Sequence, residues 1–383
     1  MVNPFSKLTG LFSSNTSVLG VDIGTSSAKV IQLKGNKGKV VLETYGELST
    51  GPYADKAVGQ AVKLKPDQLA TLLSDLMREA NVNTKASAIS IPLSSSLLVS
   101  IDVPDLPEEK LAKMIPIEAR KYVPVPISEV MLDWSIIPKY SGGSTTVEDG
   151  ASGDDNNQAK GSENNTPVKK DLDVLIVAIH KDTLKQYEEI SKLANLETKF
   201  LEIETFSAMR SSLQNDSGAT VILDLGATTS KMVIVDQGIV RVSHTINKGA
   251  QDITLSIARS LNMSFTKAEE VKREVGLVEK VGDEDIGETV SPIMEYIFNE
   301  VNQVMVDYQR KNKRTIEKTV LIGGGAMLKG LLPLAEDNIY SPVVLGKPFN
   351  RVEAPAFLVD ILNDIGPGFA VSIGLALRLL QEQ

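Results

Sequence analysis

Val21-Asp22-Ile23-Gly24-Thr25-Ser26-Ser27-Ala28-Lys29 returns at a constant offset as Leu223-Asp224-Leu225-Gly226-Ala227-Thr228-Thr229-Ser230-Lys231. The Asp, the Gly, the hydroxyl-rich turn and the closing Lys all match, so the chain carries a duplicated unit. Each copy reads as a strand ending in Asp, a glycine that permits a tight turn, and small hydroxyl residues whose amides and side chains donate to phosphate oxygens. Gly24, Thr25, Ser26, Ser27 and Lys29 from one copy, with Gly226, Ala227, Thr228 and Thr229 from the other, are the candidate ligands of one polyphosphate. Asp22 and Asp224 would repel phosphate directly and are assigned to a magnesium ion held through its waters. Lys29 would neutralise charge at the terminal phosphates. Taken singly, either turn also describes an ordinary β-hairpin; the duplication decides between the readings.

Outward from these turns the chain alternates strand and helix. Val40 to Glu47 reads as a third β segment, Leu69 to Ala80 as a helix, Ala86 to Ile91 as a strand, and Glu108 to Tyr122 as a helix stopped by Val123-Pro124-Val125-Pro126. Val174 to Ile179 reads as a strand and Thr183 to Ala194 as a helix. After the second turn come helices over Ile253 to Leu261, Thr266 to Val275 and near Pro292 to Arg310, then a strand Thr319 to Ile322 running into Gly323-Gly324-Gly325. Those glycines, with Met327 behind them, let backbone approach a flat base or ribose.

Composition narrows the class. The chain has 383 residues, 42% of them apolar and 23% charged, with a formal net charge of -9. That balance belongs to a globular protein of several subdomains and argues against a general affinity for nucleic acid or anionic lipid. With no cysteine and only His180 and His244, thiolate and histidine-rich metal centres are excluded. The reading expects no run of about 18 to 20 apolar residues long enough for a membrane span. Ser141 to Lys170 is so poor in apolar residues that it is expected to stay disordered. Phe5, Leu8, Leu11 and Phe12 offer at most a short membrane-touching face on an unprocessed N-terminus.

At the two turns and the glycine run the chain resembles the actin-like ATPase superfamily, in which a first phosphate turn, a second phosphate turn and a glycine-rich adenosine motif follow in that order. The resemblance implies an α/β, two-lobed actin-like fold with duplicated core domains, binding ATP and magnesium. It assigns Leu201 to Ala208 to the first connecting helix and Gly366 to Ala376 to the second. It places Glu204 beside the attacking water, so Glu204 and Asp224 become the catalytic candidates. The segment from Gly249 to Lys272 is similar to the part of FtsA and DnaK-type chaperones where a Glu and a Lys contact the nucleoside, here Glu269 and Lys272. From spacing alone, Thr266 and Glu269 also form a T-x-x-E capping box, and Glu269 with Lys272 an i, i+3 pair.

An FtsA-type extra subdomain is implied between the first lobe's strand and the connecting helix. The divisions expected are 1–99 with 181–217 and 366–383 for the first lobe, 100–180 for the inserted subdomain, 218–248 with 319–365 for the second lobe's core, and 249–318 for its outer subdomain. Glu118-Ala119-Arg120-Lys121-Tyr122-Val123-Pro124, followed by Asp133, resembles the E-x-x-K-Y-[IV]-P hallmark of the PilM family of type IV pilus assembly. The resemblance implies a cytoplasmic protein peripheral to the inner membrane. It would dock the cytoplasmic N-terminal tail of PilN near Glu118, Arg120, Lys121 and Tyr122, and reach PilO indirectly and the pilus motor ATPases. FtsA and DnaK have aspartate where Lys231 stands, and this departure implies nucleotide binding with slow or partner-dependent hydrolysis. The alternatives are an FtsA-like division ATPase and a small-molecule kinase of the same superfamily.

Overall fold

The computed structural model describes residues 16–137, 171–213, 218–278, 280–282 and 284–382. The N-terminal apolar face and the 141–170 loop lie outside them.

Both duplicated stretches are hairpin turns, and each opens a five-stranded sheet. In the first, β1 (Ser17–Ile23) turns into β2 (Ser27–Asn36), which returns as β3 (Lys39–Ser49). A parallel neighbour needs a crossover, and α1 (Pro66–Glu79) supplies it before β4 (Ala86–Ile91) pairs with β1. The chain then leaves this sheet for β5 (Ser96–Pro104), α2 (Glu108–Ala119), β6 (Val130–Ile137) and β7 (Asp171–His180), a separate three-stranded antiparallel sheet with β7 central. It returns through α3 (Lys181–Leu193) to β8 (Glu197–Ile203), completing the order β3-β2-β1-β4-β8, and α4 (Glu204–Ser212) leads out.

The second half repeats the plan. Strands β9 (Ala219–Leu225), β10 (Ser230–Asp236) and β11 (Ile239–Ile246) form the hairpins. Helices α5 (Ala250–Ser260) and α6 (Phe265–Glu274), the two-residue strands β12 (Lys280–Val281) and β13 (Glu284–Asp285), and α7 (Ile286–Asn312) form the crossover. Then β14 (Ile316–Ile322) pairs parallel to β9, and α8 (Leu331–Asn338) leads to β15 (Val343–Leu345), giving β11-β10-β9-β14-β15. Helices α9 (Val359–Ile365) and α10 (Ala370–Gln381) end the described chain.

Helix α10 is apolar on nearly every face, so its stable place is inside the molecule. It packs on β1, β2, β4 and α4, within a core that also draws Ile222, Val320 and Ile322 from the second sheet. Two contacts leave no room for a side chain. A Cβ on Gly20 would lie 1.9 Å from the Ser372 carbonyl oxygen, and one on Gly374 would lie 1.8 Å from that of Ser207. Beside this crossing Glu202 is buried and takes both amino groups of Arg210 at 2.8 Å, Arg378 at 2.7 Å and the Ser207 hydroxyl. Burial pushes the Glu202 carboxyl up, but Arg210, Arg378 and Ser207 outweigh it and leave it below the ordinary range.

Several expectations change here. The helical run Ala356–Gln381 is long and apolar enough to cross a membrane, contrary to the sequence reading, but its α10 portion is the core helix just described. Leu201 to Ile203 belong to β8, because they pair with Ile89 to Ile91 of β4, and the first connecting helix starts only at Glu204. Helix α2 stops at Ala119, and Arg120 to Tyr122 form a tight turn ahead of Pro124. Helix α7 starts six residues before Pro292, capped by Asp285, which accepts from the Glu288 amide at 3.3 Å.

Gly374→Ala should destabilise the protein by about 1–3 kcal/mol or more, since the two helices must part to admit a methyl group; an unchanged denaturant midpoint would refute the tight crossing. Glu202→Gln leaves the buried Arg210 guanidinium without a counter-charge, while Arg378 keeps Glu382, and should cost about 3–5 kcal/mol at pH 7. The folded carboxyl titrates below the unfolded one, so its contribution is complete above the ordinary value of 4.5 and fades as pH falls through the depressed folded value. The stability gap between wild type and variant should therefore narrow below that pH, measured by denaturant titration; a gap constant with pH would contradict it.

Candidate functional site

A cleft of about 910 Å³ runs between the two sheets and is lined by both turns. In the first, the Gly24 amide donates to the Ser27 carbonyl at 3.0 Å; in the second, the Gly226 amide donates to the Thr229 carbonyl at 3.1 Å. The two turns thus share one hydrogen-bonding geometry as well as one sequence pattern. The second is braced from behind, because the Ala250 and Gln251 amides at the start of α5 donate to the carbonyls of Gly226 and Ala227 at 2.9 and 2.8 Å.

All the sequence-predicted ligands line this cleft: Asp22, Gly24 to Ser27 and Lys29 from the first lobe, Asp224, Gly226 to Thr229 and Glu204 from the two sides of the crossing, and Glu269, Lys272, Gly323 to Gly325 and Met327 from the second lobe. Gly323 sits at φ +84°, and a Cβ there would lie 2.2 Å from Asp224 Oδ1, so glycine is required on both counts. Nothing lies within 4 Å of the Cβ position of Gly324, which leaves the backbone open to a flat ligand.

The charges are arranged in layers. Asp22 accepts from the Ser90 hydroxyl at 2.8 Å, and burial pushes its carboxyl above the usual range despite the pull of Lys29. Lys29 donates to Ser27 Oγ at 2.9 Å and pairs with Glu47 at 3.1 Å. Lys231 points into the same cleft, 2.8 Å from Glu204 Oε2 and 3.7 Å from Asp224 Oδ2. Burial opposes its charge, but Glu204 and Asp224 more than offset that and raise it above an ordinary lysine. Glu204 is also bound on its other oxygen, which accepts from the Leu93 amide at 2.6 Å. The ion pair and this amide together hold the proposed water-positioning group in place.

Glu269 does not close a capping box. Ser264 is the N-cap of α6, accepting from the Lys267 amide at 3.3 Å, while Glu269 is buried and bonded to Thr254 at 2.7 Å, Lys272 at 2.6 Å and Arg273 at 2.7 Å. The Thr254 hydroxyl across on α5 and the two cations draw the carboxylate away from the helix end. The expected i, i+3 pair of Glu269 and Lys272 is present, and burial lowers the Lys272 ammonium despite its partner. The lobes also touch over this region, where the Ala61 amide donates to Gln251 Oε1 at 2.6 Å and a Cβ on Gly59 would lie 2.8 Å from the Glu269 carboxyl.

Glu118, Arg120, Lys121 and Tyr122 lie elsewhere, on the inserted three-stranded unit. Glu118 and Lys121 pair at 2.5 Å, and Tyr122 is 45% exposed beside Ile117 at 59%. The sequence reading missed Ser90, Glu47, Gln251 and Tyr187, all at the cleft except Ser90, which lies just behind Asp22. Glu47 was within reach, since it stands directly opposite Lys29 in the β2–β3 hairpin.

The sequence profile described as "Type IV pilus assembly protein PilM" matches residues 20–150 and 158–380. The chain belongs to the PilM family. Among solved structures, a PilM–PilN type IV pilus biogenesis complex superposes with a TM-score of 0.76 at 23% identity, covering 96% of this chain and 99% of that one. The ethanolamine utilization protein EutJ from Carboxydothermus hydrogenoformans superposes at 0.53 with 15% identity, covering 95% and 90%. These likenesses establish the actin-like fold for this PilM-family chain. Its curated relatives include the cell division protein FtsA of Helicobacter pylori, 24% identical over 229 residues, covering 53% of this chain and 46% of that protein. FtsA of Bacillus subtilis is 20% identical over 378 residues, covering 91% and 83%. The chain thus spans about half the length of the first curated relative it matches.

Because Lys231 is the cation that Glu204 is packed against, Lys231→Met should destabilise the protein by about 3–5 kcal/mol, and adding Glu204→Gln should restore most of that. Equal losses in the single and double variants, measured by denaturant unfolding, would show that the pair is not coupled.

Proposed function

We propose that this type IV pilus assembly protein holds ATP with magnesium between its lobes and couples the bound nucleotide to a membrane partner. The observation that carries the reading is the pair of geometrically equivalent turns facing one cleft, closed on the third side by Gly323 to Gly325. Cleft size supports it, since about 300–1,000 Å³ is the usual range for small-molecule sites. The donors suit the ligand too. Gly24 to Ser27 and Gly226 to Thr229 present amides and hydroxyls for phosphate oxygens, Lys29 adds a positive charge, and Glu269 with Lys272, which line the same cleft, are the proposed nucleoside contacts.

Magnesium fits the carboxylates. Among the described residues no group of three or more His, Cys, Asp or Glu side chains could hold a metal ion. Asp22 and Asp224 instead offer the two carboxylates that, with phosphate oxygens and water, make the usual magnesium site. When bound, the ion would neutralise phosphate charge. Asp22 is held for that role by Ser90, and Glu204 is oriented by Leu93 and Lys231. With Lys231 standing where FtsA and DnaK have aspartate, the chain's own groups favour holding nucleotide over turning it over, and hydrolysis is slow or partner-dependent.

The partner reading rests on the turn after α2. Exposed Tyr122 and Ile117, flanked by Arg120 and the Glu118–Lys121 pair, form a small amphipathic patch suited to a short peptide. The cytoplasmic N-terminal tail of PilN is the proposed occupant, with PilO reached indirectly and the motor ATPases engaged elsewhere. This places the protein in the cytoplasm, peripheral to the inner membrane.

Titration with a fluorescent ATP analogue and magnesium should show saturable binding that Gly323→Val weakens by at least about tenfold; no binding by the wild type would reject the nucleotide reading. Phosphate release by the purified protein alone should be slow, and rapid turnover would contradict the reading of a clamp that holds nucleotide. Tyr122→Ala and Arg120→Ala should each weaken a PilN-tail peptide by about tenfold or more, whereas unchanged affinity in both would remove this patch as its site.

A further inference from the structure

The inserted three-stranded sheet is rooted at the phosphate end of the cleft. Its outer strand β5 begins at Ser96, directly after the turn Leu93–Ser95. Its central strand β7 ends at His180, where α3 begins. The turn contributes Ser94 and Ser95 to the cleft lining, and α3 contributes Thr183, Gln186 and Tyr187. Along their whole length β5 and β7 are paired, from Ser96 opposite Ile179 to Pro104 opposite Asp171. A displacement at either root is therefore carried by both strands.

One line of contacts crosses from the second lobe to this root. Lys231 lies on β10, just after the turn residues Thr228 and Thr229, and donates to Glu204 Oε2 at 2.8 Å. Glu204 is the first residue of α4, and its Oε1 holds the Leu93 amide at 2.6 Å. The three groups are buried or nearly so, with side-chain exposures of 16% for Lys231 and 11% for Glu204. In such surroundings an ammonium released from one anion must find another, and a carboxylate that loses its cation cannot stay where it was.

We propose that Lys231 distinguishes a bound nucleoside triphosphate from a diphosphate and reports the difference, through Glu204 and the Leu93 amide, to the inserted sheet. The inference rests on the nucleotide reading above. The additional phosphate brings anionic oxygens to the side of the cleft where Lys231 stands beside Thr228 and Thr229, and they compete with Glu204 for its ammonium. Glu204 then reorients, and the Leu93 amide it holds moves with it. A ligand shifts such an equilibrium only through a difference in its contacts with the two arrangements, and the competition for Lys231 is that difference. Lys231 thus meets the additional phosphate itself, and Glu204 is the positioning residue that passes the difference on. The inserted sheet carries the Tyr122 turn through α2 and β6, so the reported state reaches the proposed peptide site.

Hydrogen–deuterium exchange of the full chain tests this, following peptides that cover Ser96 to Pro104 and Asp171 to His180 with saturating ATP, with ADP, and with neither. ATP should change exchange in both strands while ADP leaves them close to the ligand-free pattern. Lys231→Arg keeps the charge and should preserve the difference. The double variant Lys231→Met with Glu204→Gln removes both ends of the ion pair, and with either nucleotide at saturation it should show the same exchange. Identical exchange in wild-type protein shown to bind both nucleotides would overturn the relay and leave the nucleotide reading standing, as would an ATP–ADP difference that survives in the double variant. Failure of the wild type to bind either nucleotide would overturn both.

Discussion

The crossing of α4 and α10 is the constraint from which the rest follows. Two backbones meet there with no side chain between them, at Gly374 against Ser207, and α10 meets β1 in the same way at Ser372 against Gly20. Contact this close fixes the distance between the helices and hence the angle between the sheets they join. It also explains the buried Glu202 with its two arginines. A carboxylate taken out of water at a helix crossing is tolerable only when its lone pairs are fully used, and Arg210, Arg378 and Ser207 use them. The cleft opens beside that crossing, lined by Glu204 at the start of α4, Ala370 and Val371 at the start of α10, and residues at the ends of β1, β9 and β14.

Within the cleft, electrostatics sets what each group can do. Lys231 faces Glu204 at 2.8 Å and Asp224 at 3.7 Å, and two unit charges about 4 Å apart interact by about 4 kcal/mol at the effective dielectric of a partly buried site. No member can change partner alone. Lys231 is the strongest instance, because the position that carries an acid in FtsA and DnaK here carries a base that neutralises the neighbouring acids.

Much of this was legible in the sequence because of repetition. The turns at Gly24 and Gly226 were recognised by each other, and the glycines after β14 by their place in the order. The helices and strands flanking them followed from apolar spacing, to within a few residues at the ends. What stayed illegible depended on register or on distant partners. Ser90 supports Asp22 only because β4 lies parallel to β1, and no local pattern announces that pairing. Leu201 to Ile203 have the apolar character of either a strand or a helix, and the pairing with β4 decided. Thr266 and Glu269 had the spacing of a cap, yet Thr254, from another helix, outcompeted the local backbone. The apolar run ending in α10 was underestimated because its length accumulates over several short helical pieces.

That last helix has a consequence for how the molecule comes into being. Strands β1, β2 and β4 leave the ribosome before the whole second sheet, but the surface they present is covered by α10, whose residues follow that sheet in the chain. The second sheet, by contrast, is assembled from a continuous stretch between Ala219 and Leu345. The lobe begun before the second sheet is thus completed only after it, and while that sheet is made the apolar face of the first waits without its covering helix. Contacts so distant in sequence are slow to form, and a nascent chain exposing such a face is a natural client of chaperones.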